Sequence, residues 1–208
     1  MATATITLFL RFGDPLRLRT AELSKWSGKA VAAPRTDLDQ LLQRDEVSKS
    51  GIYILTGTDP DTGKVIRYIG EAEVIADRIR AHRAKDFWVQ ASLFISKDEN
   101  LTKGHIRYLE GRLIGEAQKA GRYGLANTVS SGAKLPESDR EDMEVFLEKI
   151  ALLLPVLGTD ILSPMAVPVG GPSDRLSAKI KGLVGYGQRT PSGFVVFMKL
   201  PRFRGDPG

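Results

Sequence analysis

The residues of this chain best placed to do chemistry are two tyrosines, Tyr53 and Tyr68, in short apolar runs that read as β-strands. Gly51-Ile52-Tyr53 opens one run and Tyr68-Ile69-Gly70 closes the other. Between them lies Thr58-Asp59-Pro60-Asp61-Thr62-Gly63-Lys64, a dense cluster of turn formers. A hairpin over about 51–56 and 64–69 sets the two phenols on neighbouring strands. A free phenol has a pKa of about 10. It acts as a base only where nearby cations lower that value.

Further groups follow at helical spacing. Arg78 and His82 are four residues apart and share a face of a helix expected from Val74 to about 86. Alone, they read as a solvated basic face or as a pair of ligand contacts. A longer helix is expected between a cap at Thr102 and a stop at Gly121. Its apolar stripe is Ile106, Leu109, Leu113, Ile114 and Ala117, and Glu110 falls near the middle of it. An inward carboxylate is costly unless it is paired or holds a metal. A structural Glu satisfied by Arg or Tyr is the alternative. His105 lies off that face and reads as a surface residue. Asn127, in Tyr123-Gly124-Leu125-Ala126-Asn127-Thr128, reads as a turn residue or a site residue.

The elements that must hold these groups are legible in part. Residues 5–12 alternate loosely around Ile6, Leu8, Phe9 and Leu10 and predict a strand ended by Gly13-Asp14-Pro15. Residues 16–33 are short and mixed, with Trp26 as a packing anchor. Leu38, Leu41 and Leu42 predict a helix from Thr36. Residues 88–96 predict a third strand of the core, and 136–154 a helix closed by Pro155. The division expected is an extension over 1–48 packed on the core, a domain over 49–157, a linker over 158–174, and a partial C-terminal module over 175–208 with one clear strand, Gly193 to Leu200.

Composition bounds the function. With no cysteine the chain has no disulfide and no thiolate metal site, and two histidines make a zinc centre a poor first reading. Any metal here would be a hard ion held by oxygen. No apolar stretch reaches the roughly 20 residues that span a bilayer. Met1 to Ile6 lacks the basic flank and apolar run of a secretory leader, so a cytoplasmic location is expected. The net charge of +5 favours polyanionic partners. Basic residues gather at Arg78, Arg80, Arg83 and Lys85, and again in the tail at Arg175, Lys179, Lys181, Arg189, Lys199, Arg202 and Arg204.

In the order Gly51-Ile52-Tyr53, Tyr68-Ile69-Gly70, Arg78, His82, Glu110, Asn127, the chain resembles the GIY-YIG nuclease family, over about residues 50–130. The extension and the Leu135 to Gly158 segment resemble a bacterial branch of that family with a short C-terminal module. The resemblance implies an α+β fold with a small, mainly antiparallel three-stranded sheet flanked by helices. It implies cleavage of DNA phosphodiester bonds with a divalent ion, Mg²⁺ or Mn²⁺. Glu110 would hold a single ion, Tyr53 would activate water, Tyr68 would position it, and Arg78 would bind the scissile phosphate. His82 would assist by phosphate contact or proton transfer, and Asn127 would fix the phosphate or the glutamate. Gly51 and Gly70 would let the strands approach the substrate, with Arg80 and Arg83 as further contacts. The loop between the tripeptides is longer than the family pattern. A non-catalytic nucleic-acid-binding or regulatory module on the same fold is the alternative.

Overall fold

Seven strands, not three, form the sheet that carries the candidate residues. The structure is a computed structural model that describes residues 3–128, 132–164, 176–180, 183–190 and 193–197. In chain order the elements are β1 (Ile6–Leu10), β2 (Arg19–Leu23), β3 (Gly28–Pro34), α1 (Leu38–Leu42), β4 (Gly51–Thr58), β5 (Val65–Ala72), α2 (Ile75–Ala81), β6 (Trp88–Ser96), α3 (Lys103–Ala120), β7 (Gly124–Leu125), α4 (Glu137–Val156), β8 (Leu176–Ile180), β9 (Leu183–Thr190) and β10 (Gly193–Phe197). The large sheet has the order β1-β2-β3-β6-β4-β5-β7. Every pairing in it is antiparallel except β5 with β7.

This corrects the expected small sheet. The three core strands read from sequence do form one sheet, with β4 in the middle paired to both β5 and β6. The N-terminal residues then extend them, because β3 pairs along the whole free side of β6 from Gly28↔Ser96 to Pro34↔Gln90. Gly-Lys-Ala-Val-Ala-Ala-Pro hides its strand character, since alanine and lysine are poor strand formers by propensity. Burial on both faces decides the matter: Ala30, Val31, Ala32 and Ala33 are all fully buried. Arg19 disguises β2 in the same way. It is 4% exposed because its guanidinium donates to the carbonyl of Leu157, the residue that ends α4, at 2.7 Å. A cation at a helix C-terminus is where the helix dipole favours it.

Alternation along β4 sorts the core into two layers. Ile52 and Ile54 face α3 and α4, in a cluster with Ile69, Phe94, Leu109, Leu113, Ile150 and Leu153. Tyr53 and Leu55 face the other way, among Leu38, Leu41, Ile75, Ile79, Trp88 and Leu93 of the layer that holds α1 and α2. Covered on both sides, β4 is buried at every residue but its last. Each fully buried aliphatic side chain contributes about 1.5–3 kcal/mol.

Both long helices form where periodicity places them. Thr102 caps α3 by accepting from the His105 N–H at 3.3 Å, and the His105 ring accepts from the Thr102 N–H in return. Gly121 ends the helix with φ +60°. Glu144 of α4 accepts from the Tyr108 hydroxyl and from Arg112 of α3, at 2.6 Å each. Pro155 does not end α4, as expected from sequence, but lies inside its last turn. No helix among the described residues is long and apolar enough to cross a membrane.

The chain divides into two units, Met1–Pro164 and Met165–Gly208. In the second, β8, β9 and β10 form an antiparallel sheet with β9 in the middle, where a single strand is expected from sequence. Of the basic tail, Arg175, Lys181, Lys199, Arg202 and Arg204 lie outside the described residues, as do residues 198–200 of the expected last strand and 165–174 of the expected linker.

Candidate active site

The hairpin brings the two phenols together. In the β4–β5 register, Leu55 lies opposite Tyr68 and Tyr53 opposite Gly70, so the tyrosines are diagonal neighbours on one face. Their rings stack with centroids 5.9 Å apart and 19° between planes. Gly70 makes this possible, since a Cβ there would fall against the Cζ and Oη atoms of Tyr53. Gly51 answers a similar need, because a Cβ there would meet the Phe94 carbonyl of β6. Both glycines thus serve close packing inside the sheet.

His82 arrives from the layer beneath. It follows the last residue of α2 in a short 3-10 turn, and its carbonyl accepts from the Trp88 indole N–H at 2.9 Å. Its Nε2 lies 3.1 Å from the Tyr53 hydroxyl. Its ring meets Tyr68 edge-on at 4.8 Å. The Nδ1 atom is buried with no hydrogen-bond partner. An orphaned N–H costs more than an orphaned lone pair, so this favours the tautomer with the proton on Nε2. His82 then donates to the Tyr53 oxygen, and the Tyr53 O–H is left to donate towards Tyr68.

Burial sets the charge state of this trio. It pushes the Tyr53 phenol well above the ordinary 10.0, and the neighbouring Tyr68 adds to the effect. The Arg78 guanidinium pulls the other way but is outweighed, and the Glu110 carboxylate raises the phenol further. The expectation that nearby cations lower Tyr53 is therefore reversed. Tyr53 is 2% exposed and is a neutral hydrogen-bonding group. Burial, with help from Lys85 and Arg78, brings His82 down to about 4, so it is an uncharged imidazole at neutral pH.

Unfolded His82 binds its proton near 6.5 and the folded residue only near 4. The unfolded state binds more protons between those values, so stability is full above 6.5 and falls as pH drops towards 4. Glu46 acts in a lower window. Held at about 2 by Arg44 and Lys29 against its own burial, it loses its contribution as pH falls from 4.5 towards 2. In thermal melts against pH, His82→Gln should flatten the loss between pH 6.5 and 4 and leave the lower one in place. An unchanged upper slope would contradict the buried, neutral imidazole.

Around this buried pair the polar groups are exposed. Tyr68 is half-buried, and the Lys85 ammonium lies 5.5 Å from its ring centre. Arg78 is exposed and makes no ion pair among the described residues. Lys85 has no individual role in the sequence reading, although it closes the basic cluster that begins at Arg78. Only the 3-10 turn after α2 shows that it faces Tyr68.

The other candidates have local partners. Arg80 pairs with Asp77 at 3.0 Å and Arg83 with Asp39 at 2.7 Å. Asn127 spends its amide on β5: its Oδ1 accepts from the Ile69 N–H at 3.1 Å and its Nδ2 donates to the Ile69 carbonyl at 2.6 Å. It continues the sheet edge begun by β7. Glu110 is half-buried and lies, as expected, within the stripe of α3 formed by the buried Ile106, Leu109, Leu113, Ile114 and Ala117. The described residues hold no cluster of three or more His, Cys, Asp or Glu side chains that could by itself hold a metal. Glu110 is the acid whose charge reaches Tyr53. A donor set of one carboxylate suits a small hard ion that keeps water and takes phosphate oxygens as its other ligands. It does not suit zinc.

Two surface cavities of about 450 and 600 Å³ open around Trp26, and neither is lined by any of these groups. Compared with protein-family models, with the curated proteins and with the solved structures, the chain gives no match in any of the three.

Proposed function

We propose that the chain is a metal-dependent endonuclease of the GIY-YIG type that hydrolyses DNA phosphodiester bonds, in a cytoplasmic setting. One observation carries this reading. A single phenol, Tyr53, is bonded to His82, stacked on Tyr68, and within electrostatic reach of both Arg78 and Glu110. Those groups come from β4, β5, α2, the turn after it, and α3. Exposed cations beside a half-buried phenol suit an extended polyanion better than a small enclosed ligand.

The roles follow from exposure and partners. Tyr53 and His82 are too buried to meet a DNA strand, so they position Tyr68. With Tyr53 donating to its oxygen, Tyr68 turns its own O–H outward, to a phosphate oxygen. Arg78 and Lys85 neutralise the phosphate from the exposed side, the guanidinium with paired N–H donors. Glu110 would hold Mg²⁺ or Mn²⁺, which when bound supplies charge neutralisation at the leaving oxygen and acidifies water. Asn127 keeps the edge of β5 in register beneath Tyr68.

The test is cleavage of duplex, single-stranded and branched DNA with Mg²⁺ or Mn²⁺. Tyr68→Phe and Arg78→Ala should each slow cleavage on the order of 10²–10⁴-fold. Arg78→Ala should melt as wild type does because its side chain is exposed, whereas Tyr68→Phe should lose about 1–3 kcal/mol of stability because the buried Tyr53 O–H loses its acceptor. Wild-type protein that binds DNA yet cuts none of these substrates would favour the non-catalytic binding module instead.

A further inference from the structure

We propose that the open edge of β1 pairs with the same edge of a second copy of the chain, antiparallel about a two-fold axis at Leu8, to make a homodimer with one continuous sheet.

The two edges of the large sheet are treated differently. At one, β5 is covered by β7 and by the Asn127 amide, which occupies the N–H and carbonyl of Ile69. At the other, β1 has no neighbour among the described residues beyond β2. An uncovered edge is a template for another strand, and proteins commonly blunt it with charge, proline or a bulge. Here Thr3 to Leu10 contains no charged residue and no proline, and β1 pairs with β2 without a shift in register. Ile6, Leu8 and Phe9 are 37%, 39% and 58% exposed.

The hydrogen-bond phase fixes where a second copy would pair. The Ser24 N–H donates to Thr5 and the Arg11 N–H donates to Leu18, so the odd residues of β1 bond to β2. Ile6, Leu8 and Leu10 therefore direct their N–H and carbonyl groups to the free side. These three residues are centred on Leu8. A second copy turned about that point sets Leu8 against Leu8 and Ile6 against Leu10, and satisfies all of those groups at once. Thr7 then lies opposite Phe9, and Arg11 opposite Thr5, so no like charges meet. Such self-complementarity is what a two-fold interface requires. A pairing of this size belongs with small interfaces, so the dimer is expected to be of micromolar affinity.

Sedimentation equilibrium of the full chain over a range of concentrations tests this. Wild type should dimerise reversibly. Leu8→Lys places two ammonium groups face to face at the axis and should raise the dissociation constant roughly tenfold or more. Leu8→Glu should do the same, and an equimolar mixture of the two variants should recover the dimer. At concentrations well below the dissociation constant, circular dichroism and melting of the exposed-site variants should match wild type. A wild-type chain that stays monomeric at high concentration overturns the proposal, including one that covers its own edge. So does a dimer indifferent to both substitutions.

Discussion

Glu110→Gln should cut metal-dependent cleavage by on the order of 10³, while leaving the fold intact. The substitution keeps the shape and removes the charge. Glu110 is half-buried, and the apolar packing of α3 is carried by Ile106, Leu109, Leu113, Ile114 and Ala117. Little packing is lost, so the melting temperature should hold. The ion, however, would lose its protein carboxylate. Its Lewis-acid action is worth several kcal/mol, and each step of about 1.36 kcal/mol is tenfold in rate. DNA binding without metal should be unchanged, because Arg78 and Lys85 remain. Rate against Mn²⁺ concentration separates weakened metal affinity from lost chemistry: excess ion restores the first and not the second. Full activity in Glu110→Gln would falsify the metal role. A lowered melting temperature with no change in rate would make Glu110 a structural acid.

The same residue shows how far the sequence could be read. Helical spacing placed Glu110 on the stripe with its apolar neighbours, and α3 forms with that phase. A wheel gives angle, not depth: Glu110 keeps its place in angle between the buried Ala117 and Ile114, yet is only half-buried. Tyr53 and Tyr68 were legible because turn formers fix a hairpin and alternation fixes its faces. The sign of the shift at Tyr53 was not. It depends on α1, α2 and Trp88 closing over β4, and that burial is a property of the packed layer. The resemblance assigns Gly51 and Gly70 to substrate approach and Asn127 to the phosphate or the glutamate, and the contacts they make are within the sheet.

The width of the sheet was the largest correction. Arg19, Glu22 and Lys29 interrupt the apolar pattern that marks strands. Each has a distant partner. Arg19 meets the end of α4, and Lys29 pairs with Glu46 at 2.9 Å. Glu22 meets Lys97 at 2.8 Å. Contacts between residues so far apart in the chain leave no mark in a local window. The consequence for the candidate site is direct. β3 and β6 brace β4 from the side opposite β5, so Tyr53 stands on a central strand and its position is set by backbone pairing on both sides.

Gly70→Ala is the change expected to disturb that position most. Gly70 is opposite Tyr53 in register, and its missing Cβ is the space the phenol occupies. An alanine methyl would press on the Tyr53 Cζ and Oη atoms, so either the ring or β5 must move. Overpacking of this kind costs about 1–3 kcal/mol. A displaced hydroxyl also leaves the buried His82 imidazole without its partner, at about 1–3 kcal/mol more. The sum of about 2–6 kcal/mol predicts a melting temperature lower by roughly 4–24 °C, and cleavage that falls with it because Tyr68 loses its support. Combining Tyr53→Ala with Gly70→Ala separates clash from mere loss of backbone freedom. If the methyl and the ring compete for one space, truncating Tyr53 should cost less beside Gly70→Ala than in wild type, a coupling readable in denaturant midpoints. Gly51→Ala is the control: it presses on the Phe94 carbonyl, so it should destabilise without any coupling to Tyr53. Additive effects at Gly70 and Tyr53 would mean that the phenol is not held where β5 and His82 place it.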